Sequence, residues 1–379
     1  MNILIIGGTG ILSTSVVSEC VRRGYSVTML NRGKRKAFIN RDVELIKCDV
    51  NDRNQVECLL KDRIFDVVID FLCYDERQVE NSVSLFGNKA KQYVFISSAQ
   101  VYNTSSNQIL TEESEKPQPL WSYSVNKYIA ENKVVDLCKE RDIHYTIIRP
   151  GVNYDNTRIP YGIYPPMGQH WTICNRILNN KPIITWNGGQ NRLNLTRSED
   201  FARGVAGLLG NEKAYDEAFN VVGDNIYSWI DVLNALEKYL NHKVITIDIP
   251  VNFYVSNLSV DGEALLGGRS NNLICSNQKL KSVCPDFFTQ FDLESGVKMT
   301  LDYYKANNYL SGYSSEYDGE TDRIICKYLQ DNTKDSKINL GFAPFGSMTL
   351  KKRAKEFIKY KLSRESESAI VKFISSHKQ

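Results

Sequence analysis

An apolar run that breaks on glycines and resumes as a helix constrains this chain most: Ile3-Leu4-Ile5-Ile6-Gly7-Gly8-Thr9-Gly10-Ile11-Leu12-Ser13. A strand must end there, turn tightly and hand over to a helix N-terminus, where bare backbone N–H groups attract phosphate. Read as G-x-x-G-x-x-G or G-x-G-x-x-G, the pattern fails only at Ser13, a small residue where the third glycine mainly serves helix–strand packing. The same texture repeats. Short apolar runs at 3–6, 26–30, 43–46, 67–71, 93–96 and 145–148 alternate with helix-period stretches at 12–23, 56–60, 79–91 and 123–141. Continuous apolar strands separated by helices predict βαβ units and a doubly wound parallel sheet of the Rossmann kind.

The second strand leads into Leu30-Asn31-Arg32-Gly33-Lys34-Arg35-Lys36. A dinucleotide site for NAD commonly places a carboxylate about 20 residues after the glycines, to hold the ribose 2′-hydroxyl. Here that place holds Asn31, followed by Arg32, whose guanidinium suits a 2′-phosphate. The sequence therefore favours NADP(H), with NAD(H) as the alternative.

Two further segments carry chemistry. Tyr93-Val94-Phe95-Ile96-Ser97-Ser98 is a strand ending in hydroxyls at the edge where open α/β sheets bind ligands. Tyr123-Ser124-Val125-Asn126-Lys127 puts a phenol and an ammonium on one helix face. An ammonium near a phenol favours the phenolate and makes the tyrosine a usable acid/base. Gly-rich turn, serine strand, Tyr-x-x-x-Lys and Ile147-Ile148-Arg149-Pro150-Gly151 follow one another, each in the element its chemistry needs.

Composition narrows the class. Lys and Arg number 47 against 44 Asp and Glu, a balance that gives no bulk attraction to nucleic acid. No apolar run reaches the roughly 18 residues of a membrane span. No basic leader precedes the first strand, which reads as buried and not as a signal peptide. Nine scattered cysteines and four histidines without C-x-x-C spacing argue against a disulfide framework or a metal site, and for reduced thiols in the cytoplasm.

Beyond Pro150 the texture changes. Residues 151–175, rich in Gly, Pro and Tyr, read as loop with little room for a strand. Helices are expected at 198–209, 229–240 and 293–304, and strands at 219–222 and 244–249. Tyr154, Tyr161, Tyr164, Trp171 and Trp186 read chiefly as packing, with a ligand wall as the alternative. Residues 311–319 and 330–339 read as polar loops. The stretch 350–362 has helical apolar spacing and a basic opposite face, read as solvated, with an anionic surface as the alternative. Three parts follow. Residues 1–165 form the dinucleotide domain, rejoined by 198–225; residues 166–310 form a substrate-binding part; residues 311–379 are an extension.

On Gly7-Gly8-Thr9-Gly10, Cys48-Asp49-Val50, the segment from Phe95 to Tyr102, Tyr123 to Lys127, Ile148 to Gly151, Ser198-Glu199-Asp200-Phe201-Ala202 and Phe219-Asn220-Val221-Val222-Gly223, the chain resembles extended short-chain dehydrogenases/reductases of the NAD(P)-dependent epimerase/dehydratase type. The likeness runs over about residues 1–305. It implies hydride transfer between a nicotinamide and a carbon of a nucleotide-activated sugar. Tyr123 would be the acid/base, Lys127 would hold the nicotinamide ribose, and Ser98 would bind the reacting oxygen. Gly7, Thr9, Gly10, Ile11 and Leu12 would line the pyrophosphate. Asn31, Arg32, Asp49 and Val50 would meet the adenosine; Phe71, Leu72, Ser97 and Pro150 would pass beside the cofactor. Gln100, Arg192 and Arg269 would face the substrate, the arginines as anionic handles. The dehydratases of this type carry Asp-Glu where this chain has Ala99-Gln100, which argues against 4,6-dehydration. The likeness also implies a homodimer through the helices at 79–91 and 123–141. Two competing readings are a reductase of a non-sugar carbonyl and a non-catalytic cofactor-sensing or RNA-associated module.

Overall fold

The computed structural model describes residues 1–35, 40, 42–106, 108–332, 345, 350–355 and 357–358. Twelve strands lie along these residues: β1 (Asn2–Ile6), β2 (Ser26–Asn31), β3 (Glu44–Lys47), β4 (Phe65–Asp70), β5 (Ala90–Ile96), β6 (His144–Pro150), β7 (Val152–Tyr154), β8 (Ile183–Thr185), β9 (Arg192–Arg197), β10 (Glu217–Val221), β11 (Ile226–Ser228) and β12 (Thr246–Asp248). Seven of them form one sheet in the order β10-β6-β5-β4-β1-β2-β3, every pairing parallel. The expected doubly wound Rossmann-type α/β fold is present.

Both faces of that sheet are covered, which is why its strands lack polar alternation. Ile3 and Ile5 face one layer, with Val16, Cys20, Phe201 and Val205 of α1 (Ile11–Arg22) and a returning helix, Ser198–Leu208. Leu4 and Ile6 face the other, with residues of α2 (Arg53–Leu59), α3 (Glu76–Phe86) and α4 (Ser122–Glu140). Each such fully buried aliphatic side chain contributes about 1.5–3 kcal/mol of transfer free energy.

Two expectations are corrected. Residues 151–175 hold the short strand β7 and the start of α5 (Trp171–Leu178), because β7 gains a parallel partner in β9. The loop expected at 311–319 gives way to a helix, Ser315–Asn332. Two of its charged residues are not solvated. Asp318 and Asp322 are fully buried against Arg176 of α5 (2.6 and 2.8 Å) and Lys181 (2.5 and 2.6 Å). Polar composition there disguised a helix whose inward face is ionic.

Of the basic stretch 350–362, residues 350–355 and 357–358 are helical, with Leu350, Phe357 and Ile358 exposed. The remaining residues of that stretch lie outside the described residues, as does Lys36. Among the described residues no helix is long and apolar enough to cross a membrane.

Candidate active site

The C-terminal edge of β1, β4 and β5 carries two adjoining cavities. The first, of about 280 Å³, lies over the ends of β1 and β2; Thr9, Asn31, Arg32, Asp49 and Val50 line it. The second, of about 580 Å³, is lined by Gly10, Ile11, Leu12, Phe71, Ser97 and Pro150, and by Ser98, Gln100, Tyr123, Lys127 and Arg269. Gly7 and Leu72 belong to both walls, so the two form one groove. All of the predicted cofactor and catalytic residues thus meet in it. Arg192 does not: it is exposed at the start of β9 and lines neither cavity.

The groove suits a dinucleotide on the chain's own geometry. Gly7 has φ +93°, and a Cβ there would stand 2.7 Å from Leu72 Cδ2. Gly10 caps α1, and its N–H donates to Ser13 Oγ at 2.7 Å, so Ser13 closes the turn where a third glycine was expected. Two buried polar atoms in the walls, Asn31 Nδ2 and Ser97 Oγ, have no protein partner and are open to a ligand's acceptors. At the far end, the Asn31 carboxamide oxygen accepts from Gly33 N (2.7 Å). Arg35, a residue the sequence reading did not single out, turns its guanidinium to the Thr9 carbonyl (2.8 Å).

Ser98 and Tyr123 lie together in the wall of the second cavity. Ser98 Oγ accepts from Gln100 N (3.1 Å), which fixes the hydroxyl in a strand-to-helix corner. Burial pushes the Tyr123 phenol up to about 12; the Ser98 hydroxyl and the Arg269 charge act the other way. Lys127 stands one turn further along α4, 2% exposed, and donates to the carbonyls of Cys73 (2.6 Å) and Ile96 (2.9 Å). Burial holds its ammonium down to about 8. The Lys127 ammonium is bonded to two carbonyls of the sheet edge, and Arg269 adds a positive charge that favours the phenolate.

Arg269 is set by its backbone. Its carbonyl accepts from the indoles of Trp186 (3.0 Å) and Trp229 (2.9 Å), both buried. Gly267 and Gly268 just before it let the chain pass against Trp121 and Gln100, where a Cβ would stand 2.8–2.9 Å away. Arg269 lines the groove together with Tyr164. Burial would raise that phenol; Arg158 and Arg269 outweigh burial and hold it below its ordinary value. Sequence reasoning named Tyr164 only among packing aromatics and missed Arg158, since neither belongs to a motif. Of that aromatic group, Tyr154 and Trp186 are core, whereas Tyr161 and Tyr164 also line the groove.

The comparisons with known proteins agree with this geometry. The profile of the NAD dependent epimerase/dehydratase family matches residues 3–222. A curated relative, the chloroplast stem-loop binding protein of 41 kDa b of Arabidopsis thaliana, is 26% identical over 336 residues, 85% of this chain and 83% of its own. The 2'-dehydrokanamycin reductase of Streptomyces kanamyceticus is 20% identical over 265 residues, 70% of this chain and 74% of its own. Among solved structures, UDP-glucuronic acid 4-epimerase from Bacillus cereus, in complex with UDP-glucuronic acid and NAD, superposes with a TM-score of 0.64 at 20% identity, covering 81% of this chain and 99% of that one. At that identity the likeness speaks for the fold. The preference for NADP(H) finds no support in a family described as NAD dependent, and NAD is favoured. The chain belongs to the NAD dependent epimerase/dehydratase family.

Proposed function

We propose that the chain is an NAD-dependent oxidoreductase or epimerase of a sugar or nucleotide-activated sugar, with Tyr123 as the acid/base. The observation that carries this reading is the convergence of Ser98, Tyr123 and Lys127 on one groove continuous with the glycine turn. Gly7, Thr9, Gly10, Ile11, Leu12, Asn31, Asp49 and Val50 would hold the dinucleotide, with Phe71, Leu72, Ser97 and Pro150 beside its reactive end. When bound, the nicotinamide supplies a hydride acceptor or donor.

The chain's own residues supply the proton chemistry. Ser98 holds the substrate oxygen and the Tyr123 phenol in register. Tyr123 carries its proton at neutral pH and gives it to a forming alkoxide, or takes it from a hydroxyl during oxidation. Lys127, fixed by two carbonyls, presents a positive charge beneath the groove. Gln100 offers a buried carboxamide oxygen without a protein partner, suited to a substrate hydroxyl. Ala99-Gln100 places no carboxylic acid after Ser98, which favours epimerisation or carbonyl reduction over dehydration. Arg269 is the anionic handle; Arg192, outside the groove, is not part of the proposal.

Incubation of the NAD-loaded chain with a panel of UDP-, GDP- and dTDP-sugars, read for epimer formation and for absorbance of reduced nicotinamide, tests this reading. Turnover that vanishes in Tyr123→Phe supports it, and turnover unchanged in that variant overturns it. A second reading, RNA binding, is favoured by the name of the Arabidopsis relative. Titration with stem-loop RNA at rising salt tests it, since phosphate contacts weaken steeply with salt.

A further inference from the structure

A second chamber, of about 390 Å³, opens beside the groove and shares Ile11, Arg158, Tyr164 and Met167 with it. Ligand pockets commonly run from roughly 300 to 1,000 Å³. Its outer wall is the helix Ser315–Asn332, through Glu316, Tyr317, Glu320 and Arg323, and the loop at 258–261. The family profile ends at residue 222, so this wall is built by sequence outside that match.

Three buried polar atoms in the chamber's walls have no partner among the described residues: Arg158 Nε, His170 Nδ1 and Arg323 Nε. The His170 ring is 2% exposed and stacks on Tyr164 (5.4 Å between centroids). Burial, with the Arg158 charge, holds the ring down to about 3, so it is neutral and Nδ1 is left in need of a partner. The Arg158 guanidinium lies over the Tyr164 ring (4.7 Å) and forms no ion pair with a carboxylate among the described residues. Arg323, by contrast, is paired with Glu320 (3.3 Å), and Glu320 also accepts from Ser259 N (2.9 Å). Arg158 thus stands at the chamber's mouth without an ion-pair partner among the described residues, Asp261, Glu316 and Glu320 line the outer wall, and donors and acceptors of both kinds lie inside. Hydroxyls serve as both.

We propose that this chamber is a subsite for a distal, hydroxyl-rich, sugar-like part of the substrate, whose anionic substituent is gripped by Arg158 at the junction with the groove. The proposal rests on reading the adjoining groove as the reaction site. Tyr164 lines both the groove and the chamber, and its ring meets Arg158 and His170. A substrate spanning both chambers would be positioned by contacts remote from the carbon that reacts.

The test uses the full chain saturated with NAD, so that the glycine turn is not free to take phosphate. Glucose, glucose 6-phosphate and glucuronate are titrated calorimetrically, the two anions separating phosphate from carboxylate recognition. The expected result is at least tenfold tighter binding of one anionic sugar than of glucose. That advantage should be lost in Arg158→Gln, and binding should be abolished in Ser259→Trp, where an exposed wall residue fills the chamber. Equal affinity for glucose and both anions, no binding at all, or binding indifferent to Ser259→Trp would overturn the proposal. The NAD titration made first reports separately on the groove: if NAD does not bind, the sugars are titrated on the free chain and the Ser259→Trp contrast still decides.

Discussion

Lys127 lies one helical turn beyond Tyr123, yet its ammonium is bonded to the carbonyls of Cys73 and Ile96, and the phenol shares the groove wall with Ser98. The pair therefore divides its work. Ser98 and Tyr123 face the reacting oxygen, and Lys127 pins α4 to the ends of β4 and β5 while lending charge to the groove. The pinning matters because a buried ammonium without acceptors would be expelled or neutralised.

Replacing Tyr123 by Phe removes the proton donor and leaves the ring volume in place. Turnover should fall by about 10²–10⁴-fold, the range of general acid–base catalysis. NAD affinity, measured by calorimetry, should change by less than about threefold. A parallel loss of affinity would mean that the ring holds the cofactor and the chemistry lies elsewhere.

Lys127 gives a pH signature. Its ammonium is held at about 8 against an ordinary 10.5, so between those values the unfolded chain binds more protons than the folded one. Stability from this group therefore rises with pH across that window, by about 1.4 kcal/mol per unit at most. Urea unfolding of the wild type and Lys127→Met at pH 7.5 and 9.5 should show the wild type gaining on the variant. A difference that stays flat contradicts the burial of the charge.

His170 gives the same case at lower pH. Its ring is held at about 3 against 6.5, so the unfolded state binds the extra proton first as pH falls. Stability should decline between pH 6.5 and 4, and His170→Asn should flatten that decline. Thermal melting of both proteins across this range is the check.

The neutral cluster of Arg176, Lys181, Asp318 and Asp322 joins α5 to the helix Ser315–Asn332 with no solvent exposure of Arg176 or either Asp. Arg176→Met leaves two carboxylates facing one ammonium, and stability should drop by about 3–5 kcal/mol. A loss below about 1 kcal/mol, read by denaturant titration, would show that the helix docks by other contacts.

The dinucleotide half was legible because its signals are local. Glycines at a strand end, continuous apolar runs for strands covered on both faces and an i,i+4 Tyr–Lys pair each follow from backbone geometry within a few residues. The far side of the groove was not. Arg158, Tyr164 and Arg269 come from two loops more than a hundred residues apart, and only Arg269, beside two glycines, carried a local hint. Arg192 drew attention by its place before Asp200, but β9 pairs so that its side chain starts the strand in solvent. The helix at 315–332 was hidden because its buried face is ionic, and charge reads as solvent in a sequence. The anchoring of Lys127 was hidden too: the carbonyls that hold it belong to β5 and the loop after β4, invisible from α4 alone.

The account depends most on the groove beneath Gly7 and Leu72 holding a nicotinamide dinucleotide against Ser98 and Tyr123. Calorimetric titration of NAD into the full chain and into Gly7→Val measures this directly. One saturable site per chain, weakened at least tenfold when a branched side chain is forced against Leu72 at a positive φ, is the predicted result. Absence of NAD and NADP binding alike, or equal affinity in Gly7→Val, would contradict it.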